Sequence, residues 1–367
     1  MAEAAIAKVA DPSGELDGVQ ILRAFAAMAV VVHHLIEQSL AVKGFVPPDG
    51  VILFGSSGVD LFFVISGFIM LYTSNGRFRQ SGAATAFLVR RVIRIVPLYW
   101  LCTGLVIVLH FAGLMYTRND VSAPQVLRSL MFLPAKSTVV GVGWTLNYEI
   151  YFYLLFTVAL ALLKRGQAII AITAALIVMI LASNLMPPSP EAHFFGRPMV
   201  LEFAYGMGLA WLLLRGYISG RLRWLALGIG LAGLAVASAL GPHPTTSGLA
   251  LPVRWYMWGV PVLFVAYWGL FIGAVRSRIG KLFLLLGDAS YSIYLTHSFM
   301  MPMYGKIAKA GHLTPWTVVP AIIVMTMVCA AIGVLVYRFI ERPITQALKS
   351  AWRKQSPGAV AAPSQAG

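Results

Sequence analysis

Apolar residues gather into ten runs along the chain, at residues 21–41, 51–73, 92–115, 144–163, 167–186, 199–214, 223–241, 254–275, 282–304 and 316–339. Most approach the roughly 20 residues that a helix needs to cross a hydrocarbon core about 30 Å thick. In that solvent every backbone N–H and C=O must be satisfied within the chain, which a helix does by itself. The pattern predicts an all-α fold: a polytopic membrane helical bundle of ten transmembrane helices. The breaks between runs carry turn chemistry, as in Val46-Pro47-Pro48-Asp49-Gly50, Asn75-Gly76, Pro187-Pro188-Ser189-Pro190 and Gly241-Pro242-His243-Pro244.

Composition agrees with the runs. The 367 residues are 59% hydrophobic and only 11% charged, against about 25% charged in soluble domains. The net charge of +15 does not form a block or stripe of the kind that binds nucleic acid, and no nucleic-acid partner is expected. The basic residues sit between apolar runs and orient them. With both termini in the cytoplasm, eighteen Lys/Arg fall on that side, including Arg77, Arg79, Arg90, Arg91, Arg94 and the group from Arg338 to Lys354. Eight fall outside: Lys43, Arg118, Arg128, Lys136, Arg197, Arg254, Lys306 and Lys309. The bias supports both termini inside and an even number of crossings. Residues 1–16 then form an N-terminal cytoplasmic tail, 17–343 the transmembrane domain and 344–367 a disordered cytoplasmic tail. Acidic Glu3, Asp11 and Glu15 precede the first run without a basic segment, so no cleaved signal peptide is expected. Cys102 and Cys329 lie in apolar stretches without metal-ligand spacing, and neither a disulfide nor a metal site is expected.

Ionisable residues inside the runs cost at least about 2.5–3.5 kcal/mol each at mid-membrane and call for a partner, a wet cavity or a function. Arg23 and His34 are eleven positions apart on the first helix, close to three full turns, so they share one face and lie about 16 Å apart along the axis. His33 points elsewhere on this reading. A buried imidazole can be a packing residue; its alignment with Arg23 favours a site, because imidazole suits proton transfer near neutral pH. Asp60, amid Gly55, Ser56, Ser57 and Gly58, needs a cation or several donors, although close helix packing explains the small residues around it. Arg90, Arg91 and Arg94 act as a positive-inside anchor and also form a compact cluster suited to bidentate phosphate contacts. Glu149 enters the fourth run from the outer side, near the outer interface. Arg197, Glu202 and His297 fall in the outer half and Asp288 near the inner end of the ninth run.

These residues fall in ordered blocks: Asp17-Gly18-Val19-Gln20-Ile21-Leu22-Arg23 leading to His33-His34; Gly58-Val59-Asp60-Leu61-Phe62-Phe63-Val64-Ile65-Ser66-Gly67-Phe68; Arg90-Arg91-Val92-Ile93-Arg94. Trp144-Thr145-Leu146 through Glu149, Leu201-Glu202-Phe203 with Gly206, Leu286-Gly287-Asp288 through Thr296-His297, and Ile340-Glu341-Arg342-Pro343 follow. The ordered set resembles the acyltransferase 3 group of integral membrane acyltransferases, in particular the stand-alone members that O-acetylate exopolysaccharides of the succinoglycan type. The resemblance spans residues 17–343. It implies a multi-pass protein of the bacterial inner membrane, surrounded by membrane lipids, that moves an acyl group from cytoplasmic acetyl-CoA or another acyl-CoA to a glycan hydroxyl on the outer side. A lipid-linked oligosaccharide would be one form of acceptor and the polysaccharide assembly machinery a partner. The matching positions imply Arg23, Arg90, Arg91 and Arg94 for acyl-CoA. His34 serves as general base, with an acyl-His intermediate as the competing route. Glu149 is first in line to orient His34, and His33, Asp60, Arg197, Glu202 and His297 are supporting or acceptor-binding candidates. Few residues follow Pro343, so the fused hydrolase-like domain of longer relatives is not expected. A transporter or flippase of a lipid-linked glycan is the alternative, since buried charges and glycine-rich crossings also line permeation paths. A purely structural scaffold leaves the buried charges without a reason.

Overall fold

The computed structural model describes residues 16–48, 50–114, 121–135, 137–240 and 252–355. The breaker at Gly241–Pro244, the loop cations Arg118 and Lys136, and most of both tails lie outside the described residues. In chain order the helices are α1 (Asp17–Ser39), α2 (Val51–Thr73), α3 (Ala83–Phe111), α4 (Ala123–Leu130), α5 (Trp144–Leu162), α6 (Arg165–Asn184) and α7 (Pro190–Phe195). They continue with α8 (Leu201–Leu214), α9 (Arg223–Leu240), α10 (Arg254–Met257), α11 (Gly259–Leu270), α12 (Arg278–Asp288), α13 (Ser290–Lys309), α14 (Pro315–Val336) and α15 (Arg342–Gln355). A π-helical stretch, Tyr337–Glu341, joins the last two. No strand occurs among the described residues.

Each of the ten apolar runs is largely helical over its described residues, and among the described residues seven helical segments are long and apolar enough to cross a membrane. The shortfall has local causes. The run at 199–214 is a 14-residue helix, that at 254–275 is broken into α10 and α11, and that at 282–304 is split at Ala289, where the 20-residue α13 is long enough but made too polar by Ser290, Ser292, Thr296, His297 and its lysines. The end of the chain departs from expectation. Residues 344–355 continue as the amphipathic helix α15, with Ile344, Thr345, Lys349 and Trp352 on its more buried side.

Burial ranks the helices. The apolar spans of α1 and α2 are 67% and 78% buried, those of α6 and α9 only 22% and 28%. The first two are therefore the axis of the bundle, while the others show Ile170, Leu181, Trp224 and Val236 outward, as a lipid-facing surface requires. Around α1 pack α2, α12, α13 and α14; α2 also packs against α8 and α11, and α3 against α5.

Glycine lets helix backbones touch at the crossing of α2 and α8. A Cβ at Gly206 on α8 would lie 1.9 Å from the Val64 carbonyl oxygen of α2, and one at Gly67 on α2 would lie 2.0 Å from the Phe203 carbonyl oxygen of α8. The two glycines answer each other, and dispersion between touching backbones holds helices together in lipid, where apolar burial does not. Gly206→Leu is expected to force α8 off α2 and to cost about 1–3 kcal/mol. Thermal unfolding in detergent would register a lowered midpoint, and an unchanged one would contradict this packing.

Candidate active site

Helix α1 carries the site along one face. Arg23 and His34 line two cavities that follow one another across the bundle. The first, of about 270 Å³, is bounded by Gln20 and Arg23 of α1, Ser66 of α2, Arg91 and Arg94 of α3, and Glu149 and Tyr153 of α5. The second, of about 590 Å³, is bounded by His33, His34, Gln38, Trp144 and His297, with Lys306 and Lys309 at the end of α13. Val59 and Tyr294 line both.

In the arginine cavity Arg23 and Arg91 have different neighbours. Arg23 donates from Nη1 to Gln20 Oε1 at 3.1 Å. Arg91 lies over the rings of Phe87 and Tyr153, at 5.6 and 5.9 Å from their centroids. Glu149 Oε1 accepts from Ser66 Oγ at 3.1 Å and from the Tyr153 hydroxyl one turn on. Arg90, one turn before Arg94, is half-buried on α3 and does not line this cavity. Helix α15 packs against α3 and turns Lys349 toward the cluster. Burial, followed by the charges of Arg94, Arg91, Arg353 and Arg90, holds the Lys349 ammonium pKa below its ordinary value. A polyanion with several phosphates is the ligand whose charge such a surface matches.

The histidine cavity is built on α1 and α13. His34 Nδ1 is 2.9 Å from Glu37 Oε2, three residues on, and His33 Nε2 is 3.6 Å from Glu37 Oε1. His33 Nδ1 lies 2.8 Å from the Ile52 carbonyl oxygen, which as an acceptor fixes a proton on that nitrogen. The fully buried His297 stacks on His34 with ring centroids 5.4 Å apart. Its Nδ1 faces the Ile293 carbonyl at 3.2 Å, and its Nε2 has no hydrogen-bond partner among the described residues. His34 keeps 28% of its side chain exposed to the cavity. The ligating atoms of His33, His34 and Glu37 all lie within 4.8 Å of one another, close enough for a metal ion. The direct Glu37–His34 hydrogen bond explains the same closeness without one.

Several expectations change here. Glu149 sits in the arginine cavity, more than a turn below Trp144, and it is Glu37 that touches His34. His33 does not point away: successive residues differ by about 100°, and both rings border one broad cavity. Asp60 and Glu202 line neither cavity. Asp60 bonds to Arg254, which is fully buried on α10 rather than in an outer loop, and Arg254 also donates to Ser56 O at 3.1 Å and Oγ at 3.2 Å. Glu202, equally buried, lies beside this pair, and its side chain is pressed against Gly259. Arg197 sits over the Trp144 ring at 5.4 Å and contacts His193 at 2.6 Å, so it braces the cavity wall from behind. Glu341 accepts from Ser292 Oγ at 2.6 Å near the foot of α13. Glu37 and Arg254 escaped the sequence reading. The spacing His33-His34-x-x-Glu37 on one helix was the available signal for the first, and none marked the second.

Comparison with known proteins gives the family. The acyltransferase domain family model matches residues 16–335. The exopolysaccharide production protein ExoZ of Rhizobium meliloti is 34% identical over 79% of this chain and 89% of its own length. Nodulation protein 10 of Rhizobium leguminosarum bv. viciae is 27% identical over 90% of this chain and 94% of its own length. The O-acetyltransferase OatA of Staphylococcus aureus is 26% identical over 90% of this chain, which spans 57% of that protein. No solved structure matches the chain at a significant level. The chain belongs to this acyltransferase family and is a multi-pass membrane protein.

Proposed function

We propose that this membrane acyltransferase moves an acyl group, with acetyl the first candidate, from acyl-CoA to a hydroxyl of an exopolysaccharide or other cell-surface glycan across the bacterial inner membrane. The observation that carries the reading is the pair of cavities on one face of α1, one lined by Arg23, Arg91 and Arg94, the other by His33, His34 and His297. The charge of the first suits CoA phosphates arriving from the cytoplasm. The second suits a glycan or lipid-linked saccharide on the outer side. Ten crossings with both termini cytoplasmic complete the topology; the basic residues of the connecting segments support it.

The Glu37 carboxylate accepts from His34 Nδ1–H, which leaves the lone pair on Nε2. That nitrogen removes the proton of the acceptor hydroxyl as its oxygen attacks the thioester carbon. The C–S bond then breaks, the CoA sulfur leaves as thiolate, and the proton on His34 returns to it. The products are an O-acyl ester and CoA thiol. Arg23, Arg91 and Arg94 hold the donor and stay outside the proton transfers.

Two measurements test the reading. Glycan from cells lacking the chain should lose acetyl content while polymer export continues, whereas loss of export with acetylation intact would favour transport. Arg91→Ala combined with Arg94→Ala should weaken acetyl-CoA binding by about ten- to a hundredfold, the size expected for lost charge-assisted hydrogen bonds. Calorimetry of purified protein would read the change, and unaltered affinity would remove the arginine cavity as the donor site.

A further inference from the structure

The two cavities share a wall made by Tyr294 and Val59. Tyr294 is 6% exposed. Its hydroxyl donates to the Val142 carbonyl oxygen at 3.0 Å and lies within hydrogen-bond distance, 2.8 Å, of Thr145 Oγ1, which itself reaches the same carbonyl at 3.2 Å. Val142 lines the histidine cavity and Thr145 the arginine cavity, so this cross-link lies at their junction. Val142 belongs to the 3₁₀ turn Gly141–Gly143 that leads into α5. The link therefore joins α13 to the start of α5 across the space that the acyl group must pass.

The ring of Tyr294 is held from both sides. Phe62 of α2 meets it edge-on at 5.8 Å between centroids. His297, one turn further along α13, lies 5.9 Å away and is itself stacked on His34. Anything that seats against His34 and His297 thus presses on the helix turn that carries Tyr294. Packing alone would be met by phenylalanine; the hydroxyl adds a latch of two hydrogen bonds that a side-chain rotation can break and remake.

A thioester reacts with water as well as with a sugar hydroxyl. Hydrolysis adds water across the C–S bond and gives a carboxylic acid and CoA thiol, consuming the donor with nothing made. A passage open from the acceptor side would admit water whenever the glycan is absent. We propose that Tyr294, latched to Val142 and Thr145, is a positioning residue that closes the passage between the cavities until an acceptor engages His34 and His297, and so selects the acceptor hydroxyl over water. This inference rests on the acyl-transfer reading above.

The test uses the full chain in lipid nanodiscs with acetyl-CoA, and reads CoA thiol release with and without host glycan that has been de-O-acetylated by mild alkali. Wild-type protein should release little thiol without glycan. Tyr294→Ala should raise glycan-independent release at least tenfold and lower the acetyl transferred per CoA consumed. Tyr294→Phe and Thr145→Val, which keep the volume and lose the latch, should each shift the same ratio in the same direction by a smaller factor. Should the alanine variant not fold, the two conservative variants decide the matter. Wild-type transfer with an unchanged ratio in these variants overturns the gate alone. No transfer by the wild type, with either substrate order, overturns the functional reading and the gate with it.

Discussion

His34→Ala is expected to lower acyl transfer by about 10²–10⁴-fold, the contribution typical of a positioned general base, while the protein still inserts and binds acetyl-CoA. Binding should survive because His34 and the cationic cluster line different cavities. Insertion should survive because His34 and the Glu37 carboxylate it leaves behind are both partly exposed, and Glu37 keeps His33 Nε2 at 3.6 Å. Glu37→Gln is the companion variant. It keeps the size of the side chain and an acceptor oxygen for His34 Nδ1, but removes the charge that stabilises an imidazolium, so kcat should fall with KM nearly constant. An acid-sensitive acyl adduct on His34 in rapidly quenched wild-type protein would instead support the acyl-His route. Activity should also withstand chelators; loss on chelation with recovery on added zinc would turn His33, His34 and Glu37 into metal ligands.

Arg254→Ala is expected to be the most damaging change outside the cavities. Arg254 and Asp60 are fully buried and bonded to each other, and Arg254 also serves Ser56. Removing one member of a buried pair leaves an uncompensated charge and costs about 3–5 kcal/mol. In this molecule the cost is compounded, since Glu202 is buried beside the same pair. The variant should yield little monodisperse protein, with a lowered unfolding midpoint in detergent. Arg254→Met with Asp60→Asn should recover part of that loss, because the desolvated charges are removed together. Normal yield and melting for Arg254→Ala alone would show that the pair does not hold α10 against α2.

The helices were legible because a membrane demands long apolar runs, and every run is largely helical over its described residues. The shared face of Arg23 and His34 was legible for an equally simple reason: eleven residues nearly complete three turns. What could not be read were partners set by tertiary packing. The contact of Glu37 with His34 is local, three residues along α1, whereas the placing of Glu149 among the arginines depends on how α5 packs against α2 and α3, which no spacing in the sequence encodes. Arg254 read as a loop cation because it opens a run after a breaker, yet α10 folds inward against α2 and carries it into the interior. The last helix was obscured by its low hydrophobicity, although Ile344, Leu348 and Trp352 already marked one face at helical spacing.

The central claim is that one bundle accepts an acyl group at its arginine cavity and releases it as an ester at its histidine cavity. Purified chain in sealed liposomes, with the arginine face outward and de-O-acetylated host glycan enclosed, tests it when acetyl-labelled CoA is added outside. The account predicts labelled ester on the enclosed glycan, dependent on His34, with CoA thiol released only outside. Label that remains on external CoA, or glycan that crosses the membrane unacetylated, would contradict it.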